Sequence, residues 1–158
     1  MSGLSSPLPA PVQSRSLFIR QLIGPATLPG RFALSDGMNI LRLCAGLFYA
    51  PHVLQKLLGL QASMTFFAKA GLTPPAFFLG LSLVFESLSF VCLTFGFFTR
   101  WVALVSAGCM VVAAYAIIQV RGLGWYWAQG GIEYLVFWSL ASIAIAVDAW
   151  RKEQALPR

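Results

Sequence analysis

Four ionisable side chains stand where a chain this apolar has least reason to keep them: His52, Lys56, Glu86 and Glu133. Glu86 is the sharpest case. It is the single side chain charged at neutral pH in the apolar run from Pro75 to Phe98, PAFFLGLSLVFESLSFVCLTFGFF, and it sits near the middle. Roughly 20 apolar residues cross a bilayer as a helix, and a carboxylate at mid-span costs on the order of 2.5–3.5 kcal/mol on insertion scales. Such a group calls for a partner or a task. A histidine beside a buried acid titrates near neutrality, which is what proton-coupled redox chemistry requires. A lysine facing an acid instead makes an ion pair that fixes helix register.

The elements that position these groups follow from the apolar runs. The chain has 158 residues, 58% of them hydrophobic and 10% charged, with a mean hydropathy of +0.77. Soluble domains are about 45–50% apolar and about 25% charged. The expectation is an all-α integral membrane protein, an up-down four-helix bundle. Its spans cover about 38–60, 75–98, 101–120 and 131–150, within a domain of residues 37–150. A basic, disordered tail over 1–36 precedes it and a short tail over 151–158 follows.

Asp36 is placed to cap the first helix. Along that helix Arg42, Ala45, Tyr49, His52 and Lys56 recur at steps of three and four, one polar stripe on a lipid-compatible rod. Pro51 kinks the helix just before His52. Residues 61–74 read as a loop, with an interfacial turn through Met64–Phe67, broken by Gly71 and Pro74–Pro75. In the second span Ser82, Glu86 and Ser89 share a face. The turn at Thr99–Arg100 is short enough to make the third span antiparallel to the second. That third span carries no charge and presents Ala103, Ala107, Met110 and Ala114 on one face, a surface for close helix approach. Trp125, Tyr126 and Trp127 in the last loop match an interfacial aromatic belt. Glu133 stands in the first turn of the fourth span, where the helix dipole favours an acid.

At about 1.5 Å of rise per residue, His52 lies roughly 10 Å below the end of its helix and Lys56 roughly 5 Å. Glu86 lies roughly 16 Å below and Glu133 roughly 3 Å. These depths predict one polar cluster of His52, Lys56, Glu86 and Glu133, with Trp125, Tyr126 and Tyr134 at its rim. Arg42, Tyr49, Ser82, Ser89 and Arg100 are its candidate supports. One reading makes the cluster a structural lock; the other makes it a site for a quinone-like head group or a proton path.

The basic residues set the orientation. Arg15, Arg20, Arg31, Arg100, Arg151, Lys152 and Arg158 fall on one side, against Lys69 and Arg121, with Lys56 nearby, on the other. The positive-inside rule then places both termini in the cytoplasm. The formal charge of +6 is spread over helix ends rather than gathered in a stripe, which argues against nucleic acid as a partner. Cys44, Cys92 and Cys109 lie singly in apolar runs and read as packing residues. The N-terminal stretch, basic and free of acid, reads as a cytoplasmic tail, and an organellar transit peptide fits it too. Leu17–Ile23 is its one candidate for an interfacial turn. One histidine is too few for bis-His haem ligation. No metal-ligand spacing or nucleotide fingerprint occurs. A role in electron transfer would therefore be that of a subunit or accessory, not of a self-sufficient enzyme.

The order Arg42, His52, Lys56, then Gly71-Leu-Thr-Pro74, Glu86, Gly96-Phe-Phe-Thr-Arg100, Trp125 and Gly130-Gly-Ile-Glu133-Tyr134 resembles the DoxX family of bacterial membrane proteins over residues 38 to about 148. The resemblance implies a four-span protein of the inner (plasma) membrane, and puts Arg42, His52, Lys56, Glu86, Arg100 and Glu133 at the family's polar positions. The family takes its name from the small subunit of a thiosulfate:quinone oxidoreductase. It therefore implies a quinone-facing or accessory subunit tied to thiol, sulfur or oxidative-stress chemistry, with quinone as the candidate cofactor. A redox subunit or a second copy of the chain would be the partner. Where many members end the fourth span with a G-x-G-x-x-S-x-D pattern, this chain reads SIAIAVDAWRKEQ and keeps Asp148 alone. A small transporter and a non-catalytic membrane scaffold are the alternative functions.

Overall fold

The structure, a computed structural model, describes residues 23–156. Six helices account for most of it: α1 (Gly37–Leu47), α2 (Tyr49–Leu58), α3 (Leu60–Lys69), α4 (Pro75–Phe95), α5 (Thr99–Arg121) and α6 (Glu133–Gln154). A 3-10 turn, Trp127–Gln129, interrupts the loop before α6. Three of them, α4, α5 and α6, are each long and apolar enough to cross a membrane. A fourth candidate is the first span, α1 with α2, taken together with α3, which leaves it at 98°.

Local chemistry explains where the helices begin and stop. The Asp36 carboxylate accepts the Met38 N–H at 3.0 Å and starts α1. Pro51 has no N–H for the Leu47 carbonyl one turn earlier, and the helix is interrupted at Phe48. Gly59, at φ −121° and ψ 48°, turns the chain into α3. Residues 61–74 are therefore not mainly loop. The apolar residues Leu60, Met64, Phe66 and Phe67 give that stretch a helical face, and Phe67 is buried. Pro75 opens α4 at a position where its missing N–H costs nothing. The α4 helix ends at Gly96, whose φ of +71° suits a residue without a Cβ.

Helix directions follow from which ends meet. The Arg42 side chain near the start of α1 donates to carbonyls at the end of α4. Arg100, at the start of α5, pairs with Glu153 at the end of α6, and Lys152 of α6 reaches Asp36. These contacts define one end of the molecule, the terminal end. Lys56, α3 and the 122–132 loop define the other. Between them the core gathers Ala45, Tyr49, Leu93, Val102, Ala103, Met110, Trp138, Ile145 and Ala146. Small residues let α5 and α6 approach closely: Ala103, Ser106 and Ala107 on one face those of Ser142 and Ala146 on the other. Gly46 plays the same part between α1 and α4, where a Cβ would stand 2.7 Å from the Thr94 nitrogen. Leu58, Val84, Val111, Phe137 and Leu140 point outward, as a bilayer-facing surface requires.

Residues 23–36, expected as part of a disordered tail, lie against the α4–α5 turn. Phe98 N–H donates to Ala26 O at 2.8 Å, and the Trp101 indole donates to Ile23 O at 3.0 Å. Asn39 ties the same segment down through Gly30 O and Ala33 O. The backbone amides of this turn needed acceptors, and the preceding segment supplies one. The expectations placed on Arg15, Arg20, Arg158 and most of Leu17–Ile23 fall outside the described residues.

Candidate functional site: an intramembrane ion pair beside an aromatic cluster

Glu86 faces inward from the middle of α4 and is 8% exposed. Its two oxygens accept from Lys56 Nζ at 2.8 and 2.6 Å, and Oε1 also accepts from Ser82 Oγ, one turn earlier, at 2.7 Å. Lys56 reaches Glu86 because the break at Phe48 leaves α2 leaning on α4. Carboxylate and ammonium thus satisfy each other where water is scarce, the arrangement that makes a buried charge tolerable.

His52, one turn back from Lys56, lies within electrostatic reach of both partners. It does not hydrogen-bond Glu86. Its ring packs on Trp138 with centroids 5.8 Å apart, and the residue is exposed on the helix surface. Trp138 gathers three more rings: Tyr49 at 4.8 Å, Tyr134 at 5.4 Å and Phe48 at 6.2 Å. Trp138 was invisible in the sequence reading, because a tryptophan in an apolar span reads as packing; only the crossing of the first span over α6 makes it a hub. Cys109, read as a packing residue, lies within the field of Glu86 and Lys56.

Tyr49 is fully buried and starts a chain of hydroxyls across three helices. Its OH meets Ser106 Oγ at 2.8 Å, and Ser106 Oγ meets Ser142 Oγ at 2.9 Å. Ser89 is fully buried near the Tyr49 hydroxyl but outside hydrogen-bond geometry.

Glu133 corrects the expected cluster. Among the described residues no ion pair joins it to Lys56; its carboxylate accepts the Trp127 N–H at 3.4 Å. The loop explains this. Gly131 leaves no room for a Cβ beside the Trp125 backbone, and the Glu133 N–H donates back to Trp125 O at 3.0 Å. That folding turns the start of α6 toward its own loop. Glu133 there lines a groove of about 670 Å³ with Trp125, Trp127, Tyr134, Val136, Phe137 and Leu140. Tyr126 is exposed beside it.

Arg42 and Arg100 also stand apart from the cluster, at the terminal end. Arg42 is 3% exposed. It donates to Leu93 O, to Thr94 O at 3.1 Å and to Arg31 O at 2.5 Å, placing a cation on the C-terminus of α4. Arg100 pairs with Glu153 at 2.8 Å and lies over the rings of Trp101 and Trp150. Lys152 bridges Asp36 and Asp148. Its hydrogen bond, followed by that from the Met38 amide, holds the Asp36 carboxyl below its ordinary range.

Among the described residues no three His, Cys, Asp or Glu side chains converge as metal ligands. The donors that do converge are the imidazole of His52 and the phenols of Tyr49 and Tyr134 around the Trp138 indole, with the Lys56 ammonium held by Glu86, a set suited to organic oxygen atoms.

No curated protein and no solved structure matches the chain. The DoxX family model matches residues 37–119. That span contains Arg42, His52, Lys56, Glu86 and Arg100 and stops short of Trp125, Glu133 and Tyr134. It covers more than half of the 158 residues, and its helices are those of a membrane protein: the chain belongs to the DoxX family.

Proposed function

We propose that this protein is a quinone-facing or accessory subunit of a membrane oxidoreductase system, tied to thiol, sulfur or oxidative-stress chemistry. In this reading it spans the inner (plasma) membrane four times, up and down, with both termini in the cytoplasm. The bias of Arg and Lys toward the terminal end supports that orientation. The observation that carries the function is the Lys56–Glu86 pair with His52 beside it, ionisable groups held inside the helical span next to a surface that lipid reaches. A lipid-soluble carrier that gains protons with its electrons needs such groups at that depth. The electrons come from a partner subunit, and this chain's residues hold and orient the carrier.

The test is quinone co-purification. Protein extracted in mild detergent, with its native partners, should carry quinone detectable by mass spectrometry. Glu86→Gln keeps the side chain's shape but leaves the Lys56 ammonium uncompensated beside His52. It should lower the bound quinone about tenfold, about 1.4 kcal/mol, through the unpaired ammonium it leaves near the carrier. Wild-type protein that never carries quinone, alone or with partners, overturns the reading.

A further inference from the structure

The first span does not keep company with α6 along its whole length. Its α1 half packs against α6, whereas the backbone of α2 leans on α4 and draws away from α6. Side chains line the divergence: Phe48, Tyr49 and His52 from the first span, and Tyr134 and Trp138 from α6. Two of these have hydrogen-bonding capacity that the protein does not use. The Trp138 indole N–H is buried, in a residue 4% exposed, and donates to no acceptor. A buried donor left unmade costs about 1–3 kcal/mol, and such groups are rare enough to need a reason. His52 is exposed on the same cluster, held by ring packing on Trp138. Glu86 differs: Lys56 and Ser82 already occupy its oxygens.

Tyr134 belongs to two places at once. Its ring packs on Trp138, and it lines the open groove of about 670 Å³ along Phe137 and Leu140. That volume lies in the range of small-molecule sites, about 300–1,000 Å³. Apart from Glu133 the groove is walled by aromatic and aliphatic side chains. A polar-edged ring cluster thus continues into an apolar channel facing the lipid.

We infer that the divergence between α2 and α6 is a binding site for a flat, lipid-soluble molecule with a carbonyl oxygen. Its ring lies on Tyr134, where the cluster of His52, Tyr134 and Trp138 meets the groove, and its apolar tail runs along the groove over Phe137 and Leu140. The inference rests on the quinone reading above and deepens it. It puts the quinone ring at the aromatic cluster rather than on the Lys56–Glu86 pair, which stands behind as a fixed charge. Aromatic faces stack on a planar ring, the free indole N–H supplies the donor a carbonyl needs, and entry is lateral, from the bilayer.

The test is photolabelling of the full chain in lipid nanodiscs with an azido-quinone bearing one isoprenoid unit, followed by peptide mapping. Label on residues 134–140 or 48–55, suppressed at least tenfold by excess unlabelled quinone, supports the site. Competable label confined to other peptides overturns the site and leaves the quinone reading standing. No competable label, together with no co-purified quinone, overturns both. Trp138→Phe gives an independent reading, since it keeps a ring and removes only the N–H. Quinone affinity should fall about fivefold, the worth of one hydrogen bond, with the melting temperature little changed. Unchanged affinity in a folded variant removes the indole from the site.

Discussion

The two ends of the molecule handle charge differently. At the terminal end Arg42, Arg100, Glu153, Lys152, Asp36 and Asp148 have compensating neighbours that are also structural anchors. Arg42 caps α4, Arg100 holds Glu153, and Lys152 ties Asp36 to Asp148. Residues 23–36 close over that end through backbone hydrogen bonds. At the far end one ion pair, Lys56–Glu86, is satisfied as fully, yet beside it lie an exposed imidazole, an orphan indole N–H and an open groove. The lesson is that an intramembrane charge is not itself a sign of function. The sign is a satisfied charge with an open, ring-lined groove nearby.

The largest expected effects set the two buried ion pairs against each other. Glu86→Ala strands Lys56, and Arg100→Ala strands Glu153; each should cost about 3–5 kcal/mol of stability, as removing one member of a buried pair does. Thermal unfolding in detergent measures both. Replacing both members at the far end, Lys56→Met with Glu86→Leu, should recover most of the loss, because apolar residues of similar volume substitute for a buried pair at little cost. Bound quinone should stay low in that double variant. If quinone binding returns with stability, the far-end pair is a register lock like its counterpart, and the contrast between the ends disappears.

A smaller effect sharpens the account of the terminal end. Gly46→Val places a side chain against the Thr94 backbone, which should cost about 1–3 kcal/mol, the usual penalty for overpacking. Because Arg42 is one turn away, the same shift loosens its grip on the α4 carbonyls. A melting temperature equal to wild type would show that α1 and α4 are less closely fitted than their backbones suggest.

The smallest effect is a pH dependence. The Asp36 carboxyl is held below its ordinary value of 3.8, chiefly by the Lys152 hydrogen bond. The stabilisation is therefore fully present above that value and is lost as pH falls through the depressed one. Melting temperature should drop on acidification below about pH 4, and Asp36→Asn should flatten that part of the drop. Asp36→Ala, which also removes the helix cap, should cost about 1 kcal/mol at neutral pH. An acid limb identical in Asp36→Asn and wild type would remove this carboxylate from the anchors of the terminal end.

How far the sequence could be read depended on whether a feature was local. The helical spans were legible because apolar runs and breakers such as Pro75 and Gly96 act within a few residues. The contact between Ser82 and Glu86 follows from their spacing of four. The α3 helix was hidden because Gly71 and the Pro74–Pro75 pair suggested a loop for the whole connection, whereas the turn that matters is at Gly59. Glu133 was misassigned because depth along a helix says nothing of the direction a side chain takes, and that direction is set by how the 122–132 loop folds back on Trp125. Trp138 was missed for a related reason. Its significance lies in the crossing angle of two helices, which hydrophobic periodicity does not encode.

The most direct measurement is bound quinone per folded molecule in two variants purified side by side, Glu86→Gln from the far end and Arg100→Gln from the terminal end. The account predicts that Glu86→Gln loses about tenfold while Arg100→Gln, per folded molecule, matches wild type. Equal loss in both, or loss in neither, would contradict the division of the protein into one end that holds it together and another that binds.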